Sequence, residues 1–166
     1  PTKNAVLVGG GIGYLAAWLL DLWCGDPAKP PEEEPPRPSS FKIIEPGGKF
    51  GIIINRLIRR HSADSWTQVI TKQWQEVVAE NASWSAPTAA LPISTNPSQL
   101  PTPIDLIIID VPEYELPSTV STAFEILSKG GILIVQEPEV PTGDVGVAEP
   151  GEELTPEQKT VESFNS

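Results

Sequence analysis

The sequence predicts an α/β fold: a parallel sheet of at least five strands with helices on both faces, a three-layer α/β/α sandwich. Three observations carry this. Short apolar runs of strand length alternate with segments of helical length. Runs such as Leu106–Ile109 are almost uninterrupted, so both faces of the sheet must be covered. The first run closes on a glycine cluster that opens into a helix, the junction that doubly wound sheets place beneath a ligand.

Ala5–Val8 is the first strand, and Gly9-Gly10-Gly11-Ile12-Gly13 turns the chain into the helical YLAAWLLDLW. Ala5 to Leu20 is uncharged, but it falls short of the roughly 20 residues that span a bilayer. Its glycines are also poor helix formers, so no membrane association is expected. Asp26 to Ser40, DPAKPPEEEPPRPSS, is a solvated loop insertion. Phe41–Ile44 is the second strand, ending in Glu45-Pro46. Gly51–Arg60 is an amphipathic helix whose Arg56, Arg59 and Arg60 sit toward its C-terminal end, where cations suit the helix dipole.

Thr67–Ile70 is a third strand and Gln73–Glu80 a short helix. A second irregular stretch, residues 81–103, is rich in Ser, Thr, Ala and Pro. Leu106–Ile109 is the fourth strand and ends in Asp110. Ser118–Leu127 is helical, Lys129-Gly130-Gly131 stops it, and Ile132–Val135 is the fifth strand. Residues 1–138 thus form one Rossmann-like domain, and 139–166 an acidic, largely irregular tail with a short helix near Thr155–Phe164.

Composition narrows the function. Among 166 residues there are 22 acids against 11 Lys and Arg, 19 prolines, one cysteine and one histidine. The net charge of −11 argues against a nucleic-acid partner, since phosphate binding needs a basic face. Cys24 alone builds neither a disulfide nor a cysteine zinc site. His61 alone excludes most hydrolase triads and histidine metal sites, and it caps the basic helix. The start at Pro1 and the lack of methionine suit a processed or trimmed chain, and a cytoplasmic location is expected. Trp18, Trp23 and Cys24 are read as core, whereas Trp66, Trp74 and Trp84 are candidates to line a pocket. The three arginines read as a solvated face or a dock for an acidic segment. Asn81-Ala82-Ser83 matches a glycosylation sequon by chance.

The spacing Gly9-x-Gly11-x-Gly13 differs from a dinucleotide fingerprint, whose third glycine would fall at Tyr14. It resembles the glycine loop of class I S-adenosylmethionine-dependent methyltransferases. The resemblance implies that Gly9, Gly10, Gly11 and Gly13 pass beneath the cofactor and that Glu45 bonds its ribose. It further implies that Gln73 and Trp74 lie near the adenine, with Trp74 stacking on it. PIDLIIIDVPEYE is similar to the family's Asp-ended fourth strand, and AFEILSKGGILIV to its helix, Gly-Gly turn and fifth strand. The implied cofactor is S-adenosylmethionine, and the implied reaction is methyl transfer to a small-molecule or protein acceptor. Asp110, Glu113 and Tyr114 would be the catalytic cluster, with Asp110 orienting the acceptor and Glu113 as base.

Departures from that family open alternatives. Leu7 stands where the family usually has an acid, and VLVGGGIG is similar to polyamine aminopropyltransferases, although DVPEY departs from their acidic signature. The family's terminal strand pair and its leading helix have no counterpart here. The domain is therefore either a fragment of a longer chain, or one that has shed elements and relies on an oligomer or partner chain to cover its sheet edge. A catalytically silent, methyltransferase-like interaction module is the alternative to the enzyme. No metal is expected. Asp110 and Glu137 stand where some relatives hold magnesium, but Gln136-Glu137 replaces the usual Asp-Asn pair.

Overall fold

A computed structural model describes residues 2–25, 36–82 and 99–136. Most of the two proline-rich insertions, Trp84, Ser83 of the sequon, Glu137 and the tail with its expected helix lie outside the described residues. The elements run β1 (Asn4–Val8), α1 (Tyr14–Cys24), β2 (Ser40–Ile44), α2 (Gly48–Arg60), β3 (Thr67–Ile70), α3 (Trp74–Ala82), β4 (Ile104–Ile109), α4 (Leu116–Ile126) and β5 (Leu127–Val135). All five strands are parallel, in the order β3-β2-β1-β4-β5. This is the α/β Rossmann-like fold expected from the alternating pattern.

Strand alternation divides the apolar residues between two cores. Leu7, Ile43 and Ile108 point to one face, where Ala16, Leu19 and Leu20 of α1 and Ile54 and Ile58 of α2 cover them. Val6, Val8, Ile44, Ile107 and Ile109 point to the other, against Trp74 and Val77 of α3 and Ala123 of α4. β1 is sealed on both sides, its Ala5, Val6 and Leu7 having no exposed surface. It pairs in register with β2 from Asn4↔Ser40 to Val8↔Ile44, and with β4 from Ala5↔Leu106 to Val8↔Ile109.

Three expectations need correction. Lys129-Gly130-Gly131 does not separate helix from strand. β5 starts directly after α4 at Leu127, and the glycines form an irregularity between Leu127, paired with Ile104, and Ile132, paired with Leu106. Gly130 takes φ +83°, a turn-type conformation that lets the strand re-register. Trp18 is not core: it is 58% exposed. α1 is apolar nearly all round, so its periodicity could not mark its inner face. Trp66, expected at a pocket, packs in the first core, its ring centroid 6.3 Å from that of half-buried Trp23 in a T-shaped contact. The Arg37 guanidinium stands 5.6 Å from the Trp66 ring centroid.

Cys24 is half-buried against that core. His61 caps α2 and places Nε2 3.6 Å from Asp21 Oδ1. Arg56, Arg59 and Arg60 are exposed. Among the described residues no helix is long and apolar enough to cross a membrane.

Candidate functional site

The chain leaves β1 on one side of the sheet through α1 and returns to β4 through α3 on the other. The carboxyl ends of β1 and β4 therefore part at a topological switch point, where a crevice opens. Short backbone bonds hold its rims: Gly9 N–H donates to the Ile44 carbonyl at 2.9 Å, and Asp110 N–H to that of Val8 at 2.8 Å. A cleft of about 250 Å³ lies here, lined by Val8, Gly9, Gly11, Ile44, Glu45, Pro46, Phe50, Gln73, Trp74, Asp110, Val111, Pro112 and Glu115.

The glycines of the loop have different duties. At Gly9, φ is +88° and a Cβ would stand 1.8 Å from the Asp110 carbonyl oxygen, so only glycine lets β1 and β4 close beneath the cleft. Gly11, at φ +48°, has open space around it and borders the cleft. Gly10 and Gly13 do not border it. Gly10 is packed against Ile54, Ile43 and Glu45, while Gly13 caps α1 at φ +88° with Leu57 close by. Two of the four glycines thus form the floor, and two allow close packing behind it.

Glu45 is 6% exposed and holds the loop from the β2 side. One carboxylate oxygen accepts from Gly11 N–H and the other from Gly47 N–H, each at 2.7 Å. Charge-assisted bonds of this kind fix the loop's shape. A carboxylate offers about four lone-pair sites, so two remain for a ligand. Trp74 is fixed from the opposite side: its indole N–H donates to Thr122 Oγ1 of α4 at 2.6 Å. Trp74 is almost wholly buried and borders the cleft.

Asp110 is half-buried, and desolvation pushes its carboxyl above the ordinary aspartate range. Glu113 and Tyr114, the other two members of the expected catalytic cluster, are exposed and lie outside the lining. The Glu115 side chain, by hydrogen bond and by charge, pushes the Tyr114 phenol above its usual value. Of the acids in this loop, Glu115 is the one that borders the cleft. The chain turns there, with Glu115 N–H donating to the Pro112 carbonyl at 2.9 Å, and that turn brings Glu115 rather than Glu113 to the lining. Phe50 was also missed. Gly47-Gly48 signalled an earlier helix start, which brings Phe50 into the first turn of α2 beside the cleft.

Among the described residues, three acidic residues (Glu45, Asp110 and Glu115) and no Lys, Arg or His line the cleft. Such a lining repels phosphates and attracts a cation. Among the described residues no three His, Cys, Asp or Glu side chains are grouped to hold a metal.

No protein-family model matches the chain, and no curated protein matches it in sequence. Solved structures do match. One is an O-methyltransferase from Bacillus cereus in complex with SAH, at 16% identity and TM-score 0.58, covering 81% of this chain and 49% of that one. Another is the O-methyltransferase TomG from Streptomyces achromogenes in complex with SAM, at 15% identity and TM-score 0.56, covering 91% and 55%. A third is precorrin 8W decarboxylase from Methanobacterium thermoautotrophicum, at 13% identity and TM-score 0.54, covering 84% and 56%. The chain spans about half the length of these proteins, and at such identities the likeness is one of fold.

Proposed function

We propose that the cleft binds S-adenosylmethionine and that the domain serves methyl transfer to a small-molecule or protein acceptor. The observation that carries this reading is the lining: among the described residues, three acidic residues without a cationic one, over a glycine floor. A sulfonium cofactor with a nucleoside part suits it, and the pyrophosphate of a dinucleotide does not. Two solved structures of this fold were obtained with SAH or SAM, which supports the same reading. When bound, the cofactor supplies an electrophilic methyl group and leaves as a neutral thioether.

The remaining work falls to the chain. Gly9 and Gly11 admit the ligand against the backbone, and Glu45 offers its free lone pairs to hydroxyls. Trp74 and Phe50 give apolar contact. Asp110 orients an acceptor amine or hydroxyl, and Glu115 takes the proton displaced as the new bond forms. Glu115 holds the role first expected of Glu113. A second reading, a silent module that binds but does not transfer, draws on the outward position of Glu113 and Tyr114.

Calorimetric titration tests the binding. Saturable heat with S-adenosylmethionine, none with a nicotinamide dinucleotide, and an affinity at least tenfold weaker in Gly11→Ala are expected. A folded protein that gives no heat at millimolar S-adenosylmethionine or S-adenosylhomocysteine overturns the reading. Preference for the decarboxylated cofactor moves it to aminopropyl transfer.

A further inference from the structure

On the reading that the cleft holds S-adenosylmethionine, we propose that Thr122 is a positioning residue for the cofactor. Its hydroxyl keeps the Trp74 indole out of the ligand's space and ties together the two walls of the cleft. Gln73 and Trp74 belong to the wall that follows β3, and Asp110, Val111, Pro112 and Glu115 to the wall that follows β4. Thr122 lies behind both, on α4.

Trp74 is 3% exposed, and its indole N–H donates to Thr122 Oγ1 at 2.6 Å. An indole nitrogen is a donor only, and a buried donor without an acceptor is costly. The acceptor is itself oriented. Thr122 Oγ1–H donates along its own helix, the oxygen lying 3.0 Å from the Ser118 carbonyl oxygen and 3.1 Å from that of Thr119. With the proton committed to the helix, a lone pair is left to face the indole.

The same part of α4 holds the opposite wall. Ser118 Oγ and Thr119 Oγ1 both donate to the Glu115 carbonyl, at 3.0 and 2.9 Å, and Glu115 N–H donates to that of Pro112. Thr122 therefore fixes Trp74 relative to the turn that places Glu115. Local stability does not call for this hydroxyl, since threonine is a weak helix former and valine has nearly the same shape. Without it the indole N–H must find water. The cleft is the opening that Trp74 borders, so the ring turns toward it and an entering ligand has to push it back.

Calorimetric titration with S-adenosylhomocysteine, paired with ¹⁵N spectra of the indole groups, tests the proposal. Thr122→Val keeps the shape and should weaken binding about tenfold, whereas Thr122→Ser keeps the hydroxyl and should stay within about threefold of the wild type. The Trp74 indole cross-peak, identified by its loss in Trp74→Phe, should move upfield in Thr122→Val and hold its place in Thr122→Ser. A bond that serves stability alone would lower the melting temperature and leave the affinity of the folded protein unchanged. Thr122→Ala removes the same hydroxyl and is read instead if the valine variant does not fold. Equal affinity in the wild type and a folded hydroxyl-free variant, or an unmoved indole peak, overturns the positioning role alone. No heat with the wild-type protein overturns the cofactor reading, and this role with it.

Discussion

Gly9 and Gly11 share a left-handed backbone but differ in what surrounds them. A methyl group at Gly9 meets the Asp110 carbonyl, which cannot move without parting β1 from β4. Gly9→Ala should therefore cost about 3 kcal/mol or more, combining strain and overpacking. Gly11→Ala meets nothing and should cost only about 1 kcal/mol, the price of the left-handed conformation. Urea denaturation of both variants checks the contrast, and equal losses would contradict it. Asp110 makes a pH prediction. Its folded-state carboxyl is raised above the ordinary aspartate range, so its share of stability is present at low pH and is lost as pH climbs through the raised value. Asp110→Asn should match the wild type near pH 4 and gain in melting temperature over it toward about pH 7. A difference that stays constant with pH would contradict this assignment. These residues were legible because a strand-to-helix turn that must close tightly leaves few choices besides glycine. Glu115 is not legible, since the turn after Pro112 decides which of three neighbouring acidic or phenolic residues borders the cleft.

At the scale of elements, the nine expected between Ala5 and Val135 are found among the described residues, because β1, β2 and β4 are largely apolar and the helices between them are long enough to cross back. The misplaced boundary lies at the start of β5. Lys129-Gly130-Gly131 has the composition of a helix stop, yet pairing with β4 holds it within the strand. Sequence reasoning weighs local propensity and cannot count ladder bonds to a strand some twenty residues away. Gly130→Ala, at φ +83° with open space around it, should cost about 1 kcal/mol by thermal denaturation. A neutral or stabilising result would show that the irregularity does not depend on that conformation. α1 exposes the opposite weakness. Its sequence marks a helix clearly but not its inner face, so Trp18 was placed in the core although it lies outside.

For the molecule as a whole, the net charge of −11 and the folded body are nearly separate matters. The described residues hold ten acids against nine Lys and Arg, and the other twelve acids fall in the remaining stretches. The acidic character that bears on function is local: Glu45, Asp110 and Glu115 around a glycine floor at the switch point. The cleft is proposed to hold a sulfonium nucleoside, and amide shifts in a ¹⁵N-labelled sample titrated with S-adenosylmethionine decide the matter. The expected result is saturable shifts concentrated at Gly9, Gly11, Glu45, Gln73 and Asp110. Unchanged spectra at millimolar ligand, or shifts confined to residues away from the carboxyl ends of β1, β2 and β4, would contradict it.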